Sequence, residues 1–316
     1  GRTLRDIGRL NGRPGPCDCI EFNAELRWSD VMSEVAFVVM DLEDRGRRDL
    51  AWRFLNRYLE ATGDYAGLAV LPFYLVYRAM VRAKVHLMRS RQARLPRAEK
   101  TRLPRAFQGY LALASRLAAP RRPALILAHG LSGSGKTTLT QPLVETLGAV
   151  RLRSDLERKR VHGLEPLAAS GSGVGTGIYS TQANTATYLR LGELAHDALR
   201  AGFSIVVDAA FLKRVERDAF RAIAERLEAP FAILDFHAPL EVLRDRIAHR
   251  LARADDASEA DLAVLEHQLA AREPLTPAEM EAAIAVDATV PVSPEAWHPL
   301  IQRLGAPRRR HEKKRR

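Results

Sequence analysis

An α/β fold, with a parallel sheet covered by helices on both faces and a mostly helical segment before it, is predicted by three features of this 316-residue chain. A glycine-rich turn at 130–135 joins an apolar run to a helical one. Short apolar runs then alternate with helical stretches as far as residue 286, and before residue 90 the apolar spacing is helical.

Between residues 30 and 89, Val31, Val35, Val39 and Leu42 fall at helix spacing, as do Leu50, Phe54, Leu55 and Tyr58, and then Leu68, Leu71, Leu75 and Val81. Gly46 and the Thr62-Gly63-Asp64 turn punctuate them, so three packed helices are expected. Residues 90–104 are basic, proline-marked and poor in large apolar side chains, which predicts a linker; a helix over about 105–118 follows. Beyond it, strands are expected at 124–127, 149–152, 204–208, 231–236 and 283–286, with helices such as 184–200 and 215–227 between them. In such a sheet the site gathers at the carboxyl ends of the strands. The small, glycine-rich residues 168–177 predict a mobile loop. The organisation expected is a helical segment over 1–90, a linker and connecting helix over 91–122, the α/β domain over 123–305 and a basic tail over 306–316.

The stretch ALILAHGLSGSGKTT at 124–138 holds the complete GxxxxGK(S/T) phosphate-binding pattern. Gly130, Ser132, Gly133, Ser134 and Gly135 are small enough for consecutive backbone N–H groups to turn toward the β- and γ-phosphates at a helix N-terminus, with Leu131 and Thr138 completing the loop. Lys136 adds a point charge and Thr137 a hydroxyl ligand for Mg²⁺, so ATP with Mg²⁺ is the expected ligand. Pro142, beyond the first turn of the next helix, is expected to kink it. The strand at 204–208 ends on Asp208, placed to support Mg²⁺ through water, against the alternative of a surface Asp closing a strand.

An apolar content of 47% suffices for packed cores. No apolar run reaches about 18 residues, so no membrane association is expected and the default is a soluble, cytoplasmic protein. The chain begins on Gly1 rather than methionine, which suggests an incomplete N-terminus. Cys17 and Cys19, two residues apart, read as reduced thiols. Of the formal charge of +11, the run RRRHEKKRR at 308–316 supplies +6, from seven basic residues and one acid. Such a run permits weak nucleic-acid contact, although it has no aromatic residue to stack on bases; the alternative is a solvated, disordered terminus.

Ser154-Asp155-Leu156-Glu157-Arg158 resembles the SDxxR element of small P-loop kinases, including polynucleotide kinase, gluconate kinase and the zeta-toxin type. That resemblance implies Asp155 as general base toward an acceptor hydroxyl and Arg158 as a substrate contact; the alternative is a helix-capping Asp beside an exposed Arg. Arg217 matches a basic position that similar kinases direct toward the phosphates or the acceptor. Arg246, Arg250 and Arg253 lie three or four apart, on one helical face, and resemble the lid of such kinases, where arginines neutralise the transferred charge. A solvated charged helix is the alternative. Tyr179 and Tyr188 line the acceptor site or belong to the core.

Residues 16–42, PCDCIEFNAELRWSDVMSEVAFVVMDL, resemble the end of the active site and the following helices of aminoglycoside phosphotransferases, which are protein-kinase-like enzymes. The resemblance puts Glu21 at a metal-ligand position and lays GRTLRDI on the family's catalytic loop, with Ile7 matching its terminal isoleucine, Asp6 replacing its metal-binding Asn, Thr3 its second His and Gly1 its catalytic Asp. It implies a truncated remnant unable to transfer phosphate. Taken with GLSGSGKTT, RSDLERKR, IYSTQANTATYLRL, VVDAAFLKRVER and DASEAD, the chain resembles bacterial fusions of an aminoglycoside phosphotransferase-like domain with an AAA-type ATP-binding domain. The expected activity is ATP-dependent phosphorylation of a hydroxyl on an unidentified small molecule or nucleic-acid end. The rival is an ATP-binding and hydrolysing regulatory module.

Overall fold

A computed structural model of the chain describes residues 7–10, 13–16, 28–253 and 256–305. The readings placed on Gly1, Thr3, Asp6, Cys17, Cys19, Glu21 and the tail at 308–316 lie outside the described residues. The chain divides into two compact units, Gly1–Arg121 and Arg122–Arg316.

In the first unit a short hairpin pairs β1 (Ile7–Leu10) antiparallel with β2 (Arg13–Pro16). The three expected helices follow as α1 (Val31–Asp44), α2 (Arg48–Thr62) and α3 (Leu71–Ser90). Asp30 caps α1 by accepting the Met32 N–H at 2.8 Å, and Gly63 ends α2 at φ 73°, a left-handed conformation that a side chain would strain. Met32, Ala36, Met40, Trp52, Leu55, Leu59 and Leu75 are buried, and Arg78 on α3 reaches Glu34 on α1 at 2.6 Å. The linker expectation at 90–104 fails, because α4 already begins at Arg97 and runs Arg97–Ala118. Leu103 is fully buried and Glu99 accepts two bonds from Arg89 on α3 at 2.9 and 3.0 Å. Those contacts offset the backbone bond lost at Pro104, inside the helix.

The second unit is a five-stranded sheet in the order β4-β5-β3-β6-β7, every pair parallel. Its strands are β3 (Leu125–His129), β4 (Ala149–Arg153), β5 (Ser204–Asp208), β6 (Phe231–His237) and β7 (Ala283–Asp287). All five residues of β3, β4 and β5 are buried, as a sheet covered on both faces requires. Alternate side chains such as Ile126, Ala128, Val206 and Leu234 pack with Leu143, Val144, Trp297 and Leu300 on one face.

The helices are α5 (Lys136–Leu139), α6 (Gln141–Leu147), α7 (Ser154–Val161), α8 (Thr181–Arg200), α9 (Arg214–Arg226), α10 (Leu240–Arg253), α11 (Leu262–Ala271), α12 (Pro277–Met280) and α13 (His298–Gly305). The expected kink is a break: Thr140 separates α5 from α6, with Pro142 in the first turn of α6, where its missing N–H costs nothing. Because β3 is central and its neighbours β5 and β6 are reached on opposite sides, the crevice at its carboxyl end receives residues from both halves of the sheet. Register sets Ala128 beside Asp208, and Asp208 beside Arg153.

Candidate active site

The glycine-rich turn leaves β3 at Gly130 (φ 148°) and bends through Gly133 (φ 80°) into α5. A Cβ at Gly133 would meet the Leu243 carbonyl oxygen at 2.7 Å, so the loop packs directly against the backbone of α10. Leu131 anchors the turn in a buried cluster with Leu243, Ile247 and Leu265. The Lys136 ammonium donates to the carbonyls of Gly130 at 2.8 Å and Leu131 at 2.9 Å. Burial draws its pKa down, while the carboxylates of Asp208 and Asp155 both oppose that shift. The Thr137 hydroxyl donates to Asp208 at 2.5 Å, and the Ser132 N–H donates to the Gln268 carboxamide at 2.8 Å.

A cavity of about 980 Å³ opens above this loop. Its floor includes Ser132, Gly133, Gly135, Lys136, Thr137, Thr138 and Asp208; Gly130, Leu131 and Ser134 support the loop from behind, Ser134 through a 2.7 Å bond to the Leu131 carbonyl. One wall comes from the end of β4 and the start of α7. There Asp155 and Arg158 line the space, and Arg153 forms a two-bond pair with Asp256 at 2.9 and 3.1 Å. Arg158 is buried, with its guanidinium donating to the Ile178 carbonyl and to Asn184 at 2.9 Å and lying 5.3 Å from the Tyr179 ring centre. The capped, exposed alternative for this pair does not hold: no side-chain cap bond is made at the start of α7, and Arg158 is 7% exposed.

The opposite wall is polar; of its residues Tyr179 and Tyr188 were candidates in the sequence, while Asn184 and Glu216 were not. Asn184 on α8 donates to Glu216 on α9 at 3.1 Å, and burial raises the Glu216 pKa, favouring its neutral form. Tyr179 and Tyr188 both line the cavity; burial raises both phenols, and the Tyr188 hydroxyl accepts the Phe211 N–H at 3.0 Å. Lys159 reaches Glu259 at 2.8 Å, and Glu259 also accepts the Ser170 hydroxyl at 2.6 Å, so the segment expected to be a mobile loop is tethered at Ser170.

Arg246, Arg250 and Arg253 all line the cavity from α10. Arg246 donates to the Ala288 carbonyl at 2.8 Å and to Gly133 at 3.5 Å, and Arg250 to the Ala260 carbonyl at 2.5 Å. Arg217 corrects the sequence reading. Its side chain is 1% exposed and turns away from the cavity, pairing with Glu279 on α12 at 2.5 and 3.2 Å and donating to the carbonyls of Phe211, Leu212, Glu273 and Pro274. A guanidinium with five donors satisfies a buried carboxylate and several carbonyls at once, so this arginine ties α9 to the 273–279 segment. A second buried network lies beneath the loop. His129 sits 2.5 Å from Asp235, which also meets His237 at 2.7 Å. Burial lowers the His129 pKa, so the neutral ring donates to Asp235 through Nδ1.

Residues 125–275 match the AAA domain family. The matched region is an α/β P-loop kinase fold, a parallel five-stranded sheet with flanking helices. Uncharacterized proteins of Mycobacterium tuberculosis and Mycobacterium bovis are 32% identical over 257 residues, covering 80% of this chain and 50% of theirs. The chain therefore spans about half the length of the curated relatives it matches. Among solved structures, it is similar to a sugar kinase from Janibacter sp. HTCC2649, 26% identical over 57% of this chain and 91% of that one (TM-score 0.42). A gluconokinase from Sinorhizobium meliloti 1021 is 23% identical over 58% of this chain and 94% of its own (TM-score 0.41). No described helix is long and apolar enough to cross a membrane.

Proposed function

We propose that the AAA domain is an ATP-dependent phosphotransferase acting on a hydroxyl acceptor. One observation carries the reading: a single cavity of about 980 Å³ is lined on one side by Lys136, Thr137 and Asp208 and on another by Asp155 and Arg158. In this reading the phosphate donor binds over the loop and the hydroxyl acceptor beside Asp155 and Arg158. In this reading the Asp155 carboxylate orients the acceptor hydroxyl and takes its proton as the oxygen attacks the γ-phosphorus. The bond from the γ-phosphorus to the β,γ-bridging oxygen breaks, and ADP leaves with that electron pair. Lys136 and the α10 arginines offset charge on the transferred group, and Arg158 holds the acceptor.

The hydroxyl and carboxylate brought together by Thr137 and Asp208 form a hard-oxygen donor set that fits Mg²⁺, an ion that keeps several waters and takes few protein ligands. Held by Thr137 and Asp208, Mg²⁺ would supply positive charge to offset that of the donor's phosphates. The first unit is proposed as part of an aminoglycoside phosphotransferase-like domain on the resemblance of residues 16–42 alone, with no role in the transfer.

The test is a screen with γ-labelled ATP against sugars, nucleosides, 5′-hydroxyl oligonucleotides and aminoglycosides. Label in an organic product supports the kinase reading. Label found only as inorganic phosphate supports the rival, a slow ATP-hydrolysing module.

A further inference from the structure

Arg158 is a buried cation whose charge the protein does not match. It is 7% exposed, lines the cavity, and lies three residues after Asp155 on the same face of α7. Its guanidinium donates only to neutral oxygens, the Ile178 carbonyl at 3.1 Å and the Asn184 carboxamide at 2.9 Å. Its Nε–H is buried with no partner among the described residues. Taking a charge out of water with no opposite charge beside it is costly, and a ligand that brings one offsets that cost.

Two neighbouring buried cations are matched within the protein, Arg153 by Asp256 at 2.9 and 3.1 Å and Lys159 by Glu259 at 2.8 Å. Arg158 is kept from such a match by Asn184. The Asn184 oxygen accepts from Arg158 while its nitrogen donates to the Glu216 carboxyl at 3.1 Å, so a neutral amide stands between the guanidinium and that carboxyl. An aspartate has the same shape and would pair with Arg158 directly; the carboxamide holds the guanidinium in place and leaves its charge unmatched. Glu216 does not supply the charge from its own position, since burial favours its neutral form. In the reading above the α10 arginines answer the donor's phosphates, which leaves Arg158 to the acceptor.

We propose that the acceptor is an anionic hydroxyl compound, whose carboxylate or phosphate pairs with Arg158 while its hydroxyl lies at Asp155, and that Asn184 sets this preference. The inference rests on the phosphotransferase reading above. Asn184 determines specificity by what it withholds, a carboxylate beside Arg158. The planar guanidinium suits carboxylate and phosphate oxygens alike. A neutral polyol of the same size leaves the buried charge unmatched and binds more weakly.

Transfer of label from γ-labelled ATP to matched acceptors tests this with the full chain. Glucose is compared with gluconate and glucose 6-phosphate, and uridine with uridine 3′-phosphate, so the carboxylate and phosphate arms are read separately. In wild type, kcat/KM for an anionic member exceeds that of its neutral counterpart by at least about tenfold. In Asn184→Asp the new carboxylate pairs with Arg158, so the preference shrinks to within about threefold while ATP affinity stays within about twofold. Arg158→Gln loses the preference in the same way; Asn184→Asp keeps the side-chain shape and so carries the test if the buried Arg158 variant does not fold. Equal transfer to neutral and anionic members, or a preference that Asn184→Asp leaves intact, overturns the inference alone. Label found only as inorganic phosphate with every compound overturns the phosphotransferase reading and this inference together.

Discussion

The Thr137 hydroxyl lies 2.5 Å from the Asp208 carboxylate, joining the first turn of α5 to the carboxyl end of β5 across the phosphate loop. Strand register produces this contact, since Asp208 pairs with Ala128 two residues before the loop begins. In the proposed reading the pair would supply hard-oxygen ligands for Mg²⁺. Asp208→Asn is expected to weaken Mg²⁺-dependent ATP binding by about 10- to 100-fold, with little change in metal-free nucleotide binding. Titration with ATP in the presence of Mg²⁺ and of chelator measures both.

Gly133→Ala is expected to destabilise the second unit by about 1–3 kcal/mol and to impair nucleotide binding. The new Cβ would sit 2.7 Å from a backbone oxygen of α10 in a left-handed conformation, so neither partner can yield cheaply. Urea unfolding gives the first quantity and nucleotide titration the second.

The Arg217–Glu279 pair predicts a pH dependence. Burial works to raise the Glu279 pKa, but the Arg217 guanidinium and the Thr276 N–H and hydroxyl hold it at about 2, below its ordinary 4.5. A depressed carboxyl pKa stabilises the fold above its unfolded value and loses that contribution as pH falls through the folded one. About 3 kcal/mol is therefore expected to disappear between pH 4.5 and 2. Glu279→Gln at neutral pH leaves Arg217 buried without its counter-charge and should cost about 3–5 kcal/mol. In that variant the loss of stability below pH 4.5 is smaller, which unfolding at several pH values would show.

How much was legible in advance follows from where the signal lives. Strands such as Ser204–Asp208 were readable because a fully buried parallel strand is a near-continuous apolar run, here ending on an acid. The phosphate loop was readable because its backbone geometry demands small residues at fixed spacing. Arg217 was misread because the carboxylate that claims it, Glu279, lies 62 residues away, a pairing no local pattern encodes. Gln268, Asn184 and Glu216 escaped for the same reason: each is an ordinary helical polar residue until tertiary packing aims it at the cavity. The linker expected at 90–104 is helical from Arg97 because Glu99 is held by Arg89 on α3, a tertiary contact that no local pattern encodes.

Asn184 and Glu216 form the polar wall facing Arg158, with Asn184 bonded to both. Asn184→Ala is expected to raise KM for the acceptor by about tenfold while leaving ATP affinity within about twofold, since it removes a contact that orients Arg158. Initial-rate kinetics with each substrate varied would separate the two effects.

The central claim is that Asp155 activates an acceptor hydroxyl beside a bound ATP. Its most direct test is transfer of label from γ-labelled ATP to the acceptor found by screening, compared between wild type and Asp155→Asn at matched ATP occupancy. The account predicts transfer reduced by at least about 100-fold with ATP affinity retained. Undiminished transfer by Asp155→Asn, with ATP bound as in wild type, would contradict it.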